Sequence, residues 1–210
     1  MEILDENDLI DEKDLLITIW TKPTRTLAFI LKVCPKQYVT ALLATSGSVS
    51  AVVSNYAKIS ASDHTLLVMI ASIILGGLFG WLSGYIYAAL LSWTGGWLNG
   101  NGTSNQFLTV VAWSSVPSIC SLILLIPKFL IPGYGITPFD IHDLFSFTNI
   151  SYLIVEGISL ALTIWTIIIL VKGVMLIQRF NTGKGILNAI LPLLVLIIPI
   201  LIIVGIAYMA

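Results

Sequence analysis

Charge is scarce in this chain. Asp, Glu, Lys and Arg make up 10% of its residues, where a soluble domain carries roughly 25%. A water-facing surface needs charge, and there is too little here to cover one. A soluble globular fold is therefore excluded. Histidine is nearly missing as well. Only His64 and His142 occur, both between the long apolar runs, so no histidine stands inside a span for a serine or metal protease. Cysteine is limited to Cys34 and Cys120, which gives no disulfide framework and no thiolate metal spacing. Both read as packing residues, with Cys34 a candidate for lipidation. The first residues are acidic and interrupted rather than basic and then apolar, so no signal peptide is expected. The first hydrophobic helix then serves as its own insertion signal. No nucleic-acid partner, cofactor or bound metal is expected.

What the chain has in abundance is apolar length. A helix crossing a hydrocarbon core of about 30 Å at 1.5 Å per residue needs about 20 apolar residues. Leu66–Trp93, Phe107–Ile131, Ile150–Ile177 and Ile186–Met209 meet that requirement. A fifth stretch, Tyr38–Tyr56, is less apolar, with Ser46, Gly47, Ser48, Ser50 and Ser54, but carries no charge. It reads as a buried span. Ahead of it, Leu27, Ile30, Leu31 and Cys34 recur at helical spacing opposite Arg25, Lys32 and Lys36. Pro23 suits a helix start and Pro35 a helix end. The segment 23–34 reads as an amphipathic helix, lying in the membrane interface with its cations at the headgroups or capping the bundle. The expected fold is all-α: five transmembrane helices preceded by an interfacial helix. The organisation is an acidic tail over 1–22 and a membrane domain over 23–210. The tail holds Glu2, Asp5, Glu6, Asp8, Asp11, Glu12 and Asp14 and reads as a solvated terminus or a docking strand for a basic partner.

The cations set an orientation. With the N-terminus inside, Lys13, Lys22, Arg25, Lys32, Lys36, Lys172, Arg179 and Lys184 lie on the cytoplasmic side, and Lys58 and Lys128 outside. That agrees with the positive-inside rule and places Ala210 outside. The second loop, Thr94–Gln106, with Gly95, Gly96, Gly100 and Gly102, reads as a flexible cytoplasmic turn. No strand precedes it and no Lys-Ser pair follows, as a phosphate loop would require. Asn101-Gly-Thr and Asn149-Ile-Ser match the glycosylation pattern, the first on the wrong side of the membrane. No internal repeat suggests an inverted-repeat transporter.

Within the spans, Ser72, Gly76, Gly80, Gly84 and Ala88 recur every four residues. Such a stripe lets two helix backbones approach closely in lipid, the partner being internal or in a second protomer. Pro117 sits among Ser114, Ser115, Ser118 and Ser121, and Pro192 and Pro199 lie nearly on one face of the last span. Each proline frees a carbonyl that neighbouring serines or a water-lined pocket must satisfy. Glu156 is the one acidic residue within a span, a candidate for proton or cation coupling or for a hydrogen-bonded structural role. Lys172 on the same helix lies about 24 Å away and cannot reach it; it can snorkel to the inner surface. Trp81-Leu-Ser-Gly lacks the glycine two before Ser83 that an intramembrane serine motif would carry. Asp63-His64 and His142-Asp143 are isolated pairs, better read as surface polarity than as a metal site. No catalytic residue is expected.

The order of these features resembles a known family. Trp20-Thr-Lys-Pro-Thr-Arg-Thr and Ile30 precede the first span. Gly76-Gly-Leu-Phe-Gly leads to Trp93, then a glycine-rich turn, then Phe107 through Val116-Pro117. Asn149-Ile-Ser opens the span holding Ile164-Trp-Thr-Ile-Ile. Val171-Lys-Gly-Val-Met-Leu-Ile-Gln-Arg-Phe-Asn-Thr-Gly-Lys-Gly-Ile-Leu leads into the last helix. Over about Trp20–Met209 the chain is similar to the Yip family, the membrane proteins named for Ypt-interacting protein, in its bacterial branch. The resemblance implies a five-helix membrane domain with a cytoplasmic N-terminus. Eukaryotic members act in transport between ER and Golgi, binding Rab-type GTPases and one another, and carry a longer cytosolic N-terminal region. Here only residues 1–22 precede the amphipathic helix, so GTPase binding is not carried across. The expected role is a non-enzymatic membrane scaffold, with the lipid bilayer, a second copy or other membrane proteins as partners. A small transporter or channel using Glu156 and the kinked helices is the alternative. The expected location is a bacterial cytoplasmic membrane, or otherwise the ER or Golgi.

Overall fold

The computed structural model describes residues 14–131, 134 and 146–209. All regular structure among them is helical. The order is α1 (Leu15–Thr21), α2 (Pro23–Val33), α3 (Val39–Ser54), α4 (Tyr56–Ser60), α5 (Thr65–Trp97), α6 (Ser104–Ser114), α7 (Val116–Cys120), a 3₁₀ turn (Ser121–Leu124), α8 (Leu125–Leu130), α9 (Phe147–Gln178) and α10 (Thr182–Met209). Thr65–Trp97, Ser104–Leu130, Phe147–Gln178 and Thr182–Pro199 are long and apolar enough to cross a membrane, and α3 is a shorter apolar helix. The chain is a polytopic integral membrane protein. The large side chains left uncovered are those a lipid surface accepts, among them Leu66, Ile74, Phe79, Leu160 and Leu201.

The described chain divides into two compact units. The first takes the segment up to Gln37, then Tyr85–Val111 and the chain from Ile169 onward. Pro23 occupies the first turn of α2, where its missing N–H costs nothing. One face of α2 buries Pro23, Thr26, Leu27, Phe29 and Ile30, while Lys22 and Lys32 stay exposed. Leu27 and Val110 of α6 close over Gly173 of α9, which has no side chain to keep them away. Thr109 Oγ1 donates to Pro35 O at 2.6 Å. The amphipathic helix is therefore docked on α6 and α9 with cations on its open side. Elsewhere in this unit polar side chains tie α5 to α10. Thr94 Oγ1 lies 2.9 Å from Asn188 Oδ1, Asn188 Nδ2 donates to Leu91 O, and Tyr87 Oη donates to Ala189 O at 2.8 Å. Such bonds hold helices together where lipid removes the hydrophobic drive between them.

The glycine-rich loop differs from the flexible turn its composition suggests. Helix α5 runs on through Gly95 and Gly96 to Trp97, and Trp93 and Trp97 stack edge to face at 4.9 Å. The chain reverses at Asn99, in the left-handed region at φ 66°, and Gly100 N–H returns to Gly95 O. The Cα positions of Gly95 and Gly100 lie against the Gln178 side chain, and that of Gly102 against Ile177 and Phe107. Gln178 Oε1 accepts from Gly102 N–H at 2.8 Å, and Ser92 Oγ donates to Gly102 O at 2.7 Å. Gly95 and Gly100 are needed for close approach to one buried amide, which pins the loop.

The second unit takes Tyr38–Gly84 and Ala112–Ile168. Helix α3 has 16 residues, about 24 Å, and the chain bends at Asn55 before α4. The third apolar stretch is broken where a single helix was expected. Pro117 does not sit mid-helix but in the first turn of α7, after a turn at Ser115. Ser115 Oγ donates to Ala112 O at 2.7 Å, Ser118 Oγ to Ser115 O at 3.0 Å and Ser121 Oγ to Ser118 O at 2.6 Å. Serines three apart thus add side-chain bonds to carbonyls of the broken helix, Ala112 O and Ser115 O already accepting from backbone N–H groups. In α10 the helix runs through both Pro192 and Pro199, the first buried and the second exposed.

Candidate functional site: a glycine seam and a buried ion pair

The small-residue stripe lies on the half of α5 that meets α3. Gly76 faces Gly47, Ser48 and Ala51, and a Cβ on Gly80 would stand 3.0 Å from Leu43 O and closer still to the Gly47 Cα. Gly84 is covered by the Leu43 side chain. Ser48 Oγ donates to Ile73 O at 2.8 Å, an interhelical bond that such close approach allows. Within the unit, then, the seam's partner is the chain's own α3. Ser72 is half-buried, and Ala88 is buried in the other unit. Gly47 is the counterpart that sequence reasoning missed. A Cβ there would lie 2.5 Å from Gly80 Cα. The run Ser46-Gly-Ser was the available signal.

Glu156 of α9 is not alone. Lys128 Nζ of α8 lies 2.9 Å from its Oε1, and Tyr134 Oη donates to the same oxygen at 2.7 Å. The Lys128 side chain is 6% exposed and that of Glu156 40%. The lysine is therefore the member that most needs its counter-charge. Its ammonium also lies 5.2 Å from the centre of the Tyr134 ring. Tyr56 Oη donates to Lys128 O at 2.6 Å, and its ring packs edge-on against Phe129 and Tyr134. Tyr56, Leu124, Ile131, Tyr134 and Val155 form one buried cluster around the pair. Burial, then the bond to Glu156, raises the Tyr134 phenol well above its usual range. It stays protonated and donates to the carboxylate. Two side chains thus converge on one carboxylate oxygen, an arrangement that neutralises charge and fixes α8 to α9.

The remaining candidates are not brought together. Lys172 is exposed and belongs to the other unit. Ser83 Oγ donates within its own helix to Gly80 O. Among the described residues no three His, Cys, Asp or Glu side chains gather as a metal site needs. His142 and Asp143, and the acidic tail up to residue 13, lie outside the described residues.

Against known proteins, residues 17–203 match the model of the Yip1 domain. No curated protein and no solved structure gives a significant match. The matched range takes in α2, the glycine seam, the Lys128–Glu156 pair and the loop pinned by Gln178. The chain belongs to the Yip1 domain family.

Proposed function

We propose that this protein is a non-enzymatic organiser of the Yip1 type, acting through helix packing and through contacts with lipid or with other membrane proteins. The membrane is a bacterial cytoplasmic membrane with the N-terminus inside. The observation that carries the reading is the state of Glu156. Proton- or cation-coupled transport needs a carboxylate that can exchange its partner. This one is held by an ammonium and a phenol at once, which suits a structural lock. The glycine seam supports the same reading, because it joins α3 and α5 without leaving a passage at Gly76 and Gly80. The small-transporter reading keeps Glu156 as its working group, so one substitution separates the two. For an organiser, native mass spectrometry of the gently extracted full chain gives a defined homo-oligomer or a bound membrane protein, and Glu156→Gln keeps it. A monomer that carries protons or solute into liposomes, with flux abolished by Glu156→Gln, would overturn the organiser and establish the transporter.

A further inference from the structure

In the second unit a cleft of about 190 Å³ opens between α3, the α7 region and α9. It is lined by six hydroxyl side chains: Ser50, Ser54, Ser118, Ser121, Ser159 and Thr163. We propose that this cleft binds the polar group of a neutral lipid, one bearing free hydroxyls of the glycerol type. The proposal gives a place and a chemistry to the lipid contact of the organiser, and to that extent rests on that reading.

The hydroxyl inventory points to the ligand. Ser118 and Ser121 spend their protons on carbonyls of the broken helix, and Thr163 Oγ1 donates to Ser159 O at 3.0 Å. These three offer the cleft lone pairs. The hydroxyls of Ser50, Ser54 and Ser159 have no hydrogen-bond partner among the described residues and so offer protons as well. A wall that both donates and accepts suits a hydroxyl, which does the same. No charged side chain lines the cleft. The nearest carboxylate along α9, Glu156, is already engaged by Lys128 and Tyr134.

Depth argues against a phosphate. Helix α9 has 32 residues and is about 48 Å long, against a hydrocarbon core of about 30 Å. With the excess shared equally between its ends, Ser159 would stand about 9 Å inside the core. An anionic headgroup there is costly, whereas a neutral hydroxyl lipid can sink to that level. Unbonded hydroxyls facing acyl chains are also unfavourable until something polar meets them. The cleft has room for a few water-sized groups at roughly 30 Å³ each, enough for a glycerol head. Acyl chains would run outside, along the exposed Leu160, Ile164 and Ile167 of α9.

The test uses the full chain in detergent, titrated with dioleoylglycerol and followed by native mass spectrometry. One equivalent is expected to be retained. Dioleoylglycerol with its free hydroxyl acetylated should bind at least tenfold more weakly. The double variant Ser54→Ala/Ser159→Ala, which removes no internal hydrogen bond, should lose at least tenfold, while Ser83→Ala binds as the parent does. Equal retention of the acetylated lipid, unchanged binding by the double variant, preferential retention of phosphatidylglycerol, or no retained lipid would each overturn the proposal. The same spectra report the assembly mass, and thermal unfolding checks that the variant is folded. Loss of lipid with assembly intact is thereby distinguished from failure of the organiser itself.

Discussion

Lys128 and Glu156 define what one substitution should do here. Lys128→Met removes the cation but leaves the carboxylate with Tyr134 as its only partner. A lost hydrogen bond to a charged group costs about 2 kcal/mol, and unfolding in detergent should show a loss of that order. Removing both charges, in Lys128→Met/Glu156→Gln, leaves no unpaired charge and keeps an amide oxygen to accept from Tyr134, and should cost less than Lys128→Met alone. If the double variant is as unstable as the sum of its parts, the two groups do not act as a pair. The pairing was within reach of the sequence. Lys128 lies near the end of the third apolar stretch and Glu156 near the start of the fourth. Consecutive antiparallel spans bring such positions to one depth. Charge counting hides this, because it treats Lys128 as a loop cation, although the structure buries it in α8. Tyr134 could not be foreseen in the same way. Its role depends on how the chain returns after α8, and no periodicity encodes that.

Helices read well from composition wherever the apolar run is long, since lipid leaves the backbone few alternatives to the helix. Their limits followed less faithfully. α5 extends past Trp93 because Gly95 packs against Gln178 and the chain turns only at Asn99, the first a contact between distant segments that a local pattern does not carry. The third span breaks at Ser115 because Pro117 removes a backbone donor, and the run of serines there favours local side-chain bonds to the backbone over an unbroken helix. The small-residue stripe of α5 was legible, but its partner was not, since α3 is marked only by a single glycine among serines. Two glycines test what the seam requires. Gly80→Ala puts a methyl group against the backbone of Gly47, which cannot rotate away, so the helices must separate at a cost of about 1–3 kcal/mol. Gly157 has open space around it, and Gly157→Ala should be neutral or gain up to about 1 kcal/mol from helix propensity. Thermal unfolding of the two variants in one detergent decides. Equal behaviour would mean that the seam is not close-packed in solution.

How the chain threads the bilayer turns on α3. Four helices have the length to cross, and four alone would leave both termini on one side. With 16 residues, or about 24 Å, α3 falls short of the roughly 30 Å core. If α3 crosses, its continuation through the bend at Asn55 into α4 must supply the missing rise. Lys58, in α4, then marks the far surface. Setting Lys128 aside as an internally paired charge leaves Lys58 as the only cation on that side, so the bias toward a cytoplasmic N-terminus becomes stronger. Three exposed positions report the result in a chain with Cys34 and Cys120 replaced by alanine: Lys36→Cys before α3, Asp63→Cys after α4 and Asn101→Cys between α5 and α6. In intact cells a membrane-impermeant maleimide should label Asp63→Cys alone, with the other two labelled only after permeabilisation. Labelling of Lys36→Cys and Asn101→Cys but not Asp63→Cys would invert the orientation. Labelling of Asn101→Cys alone would show that α3 does not cross, and would place both ends of the protein in the cytoplasm.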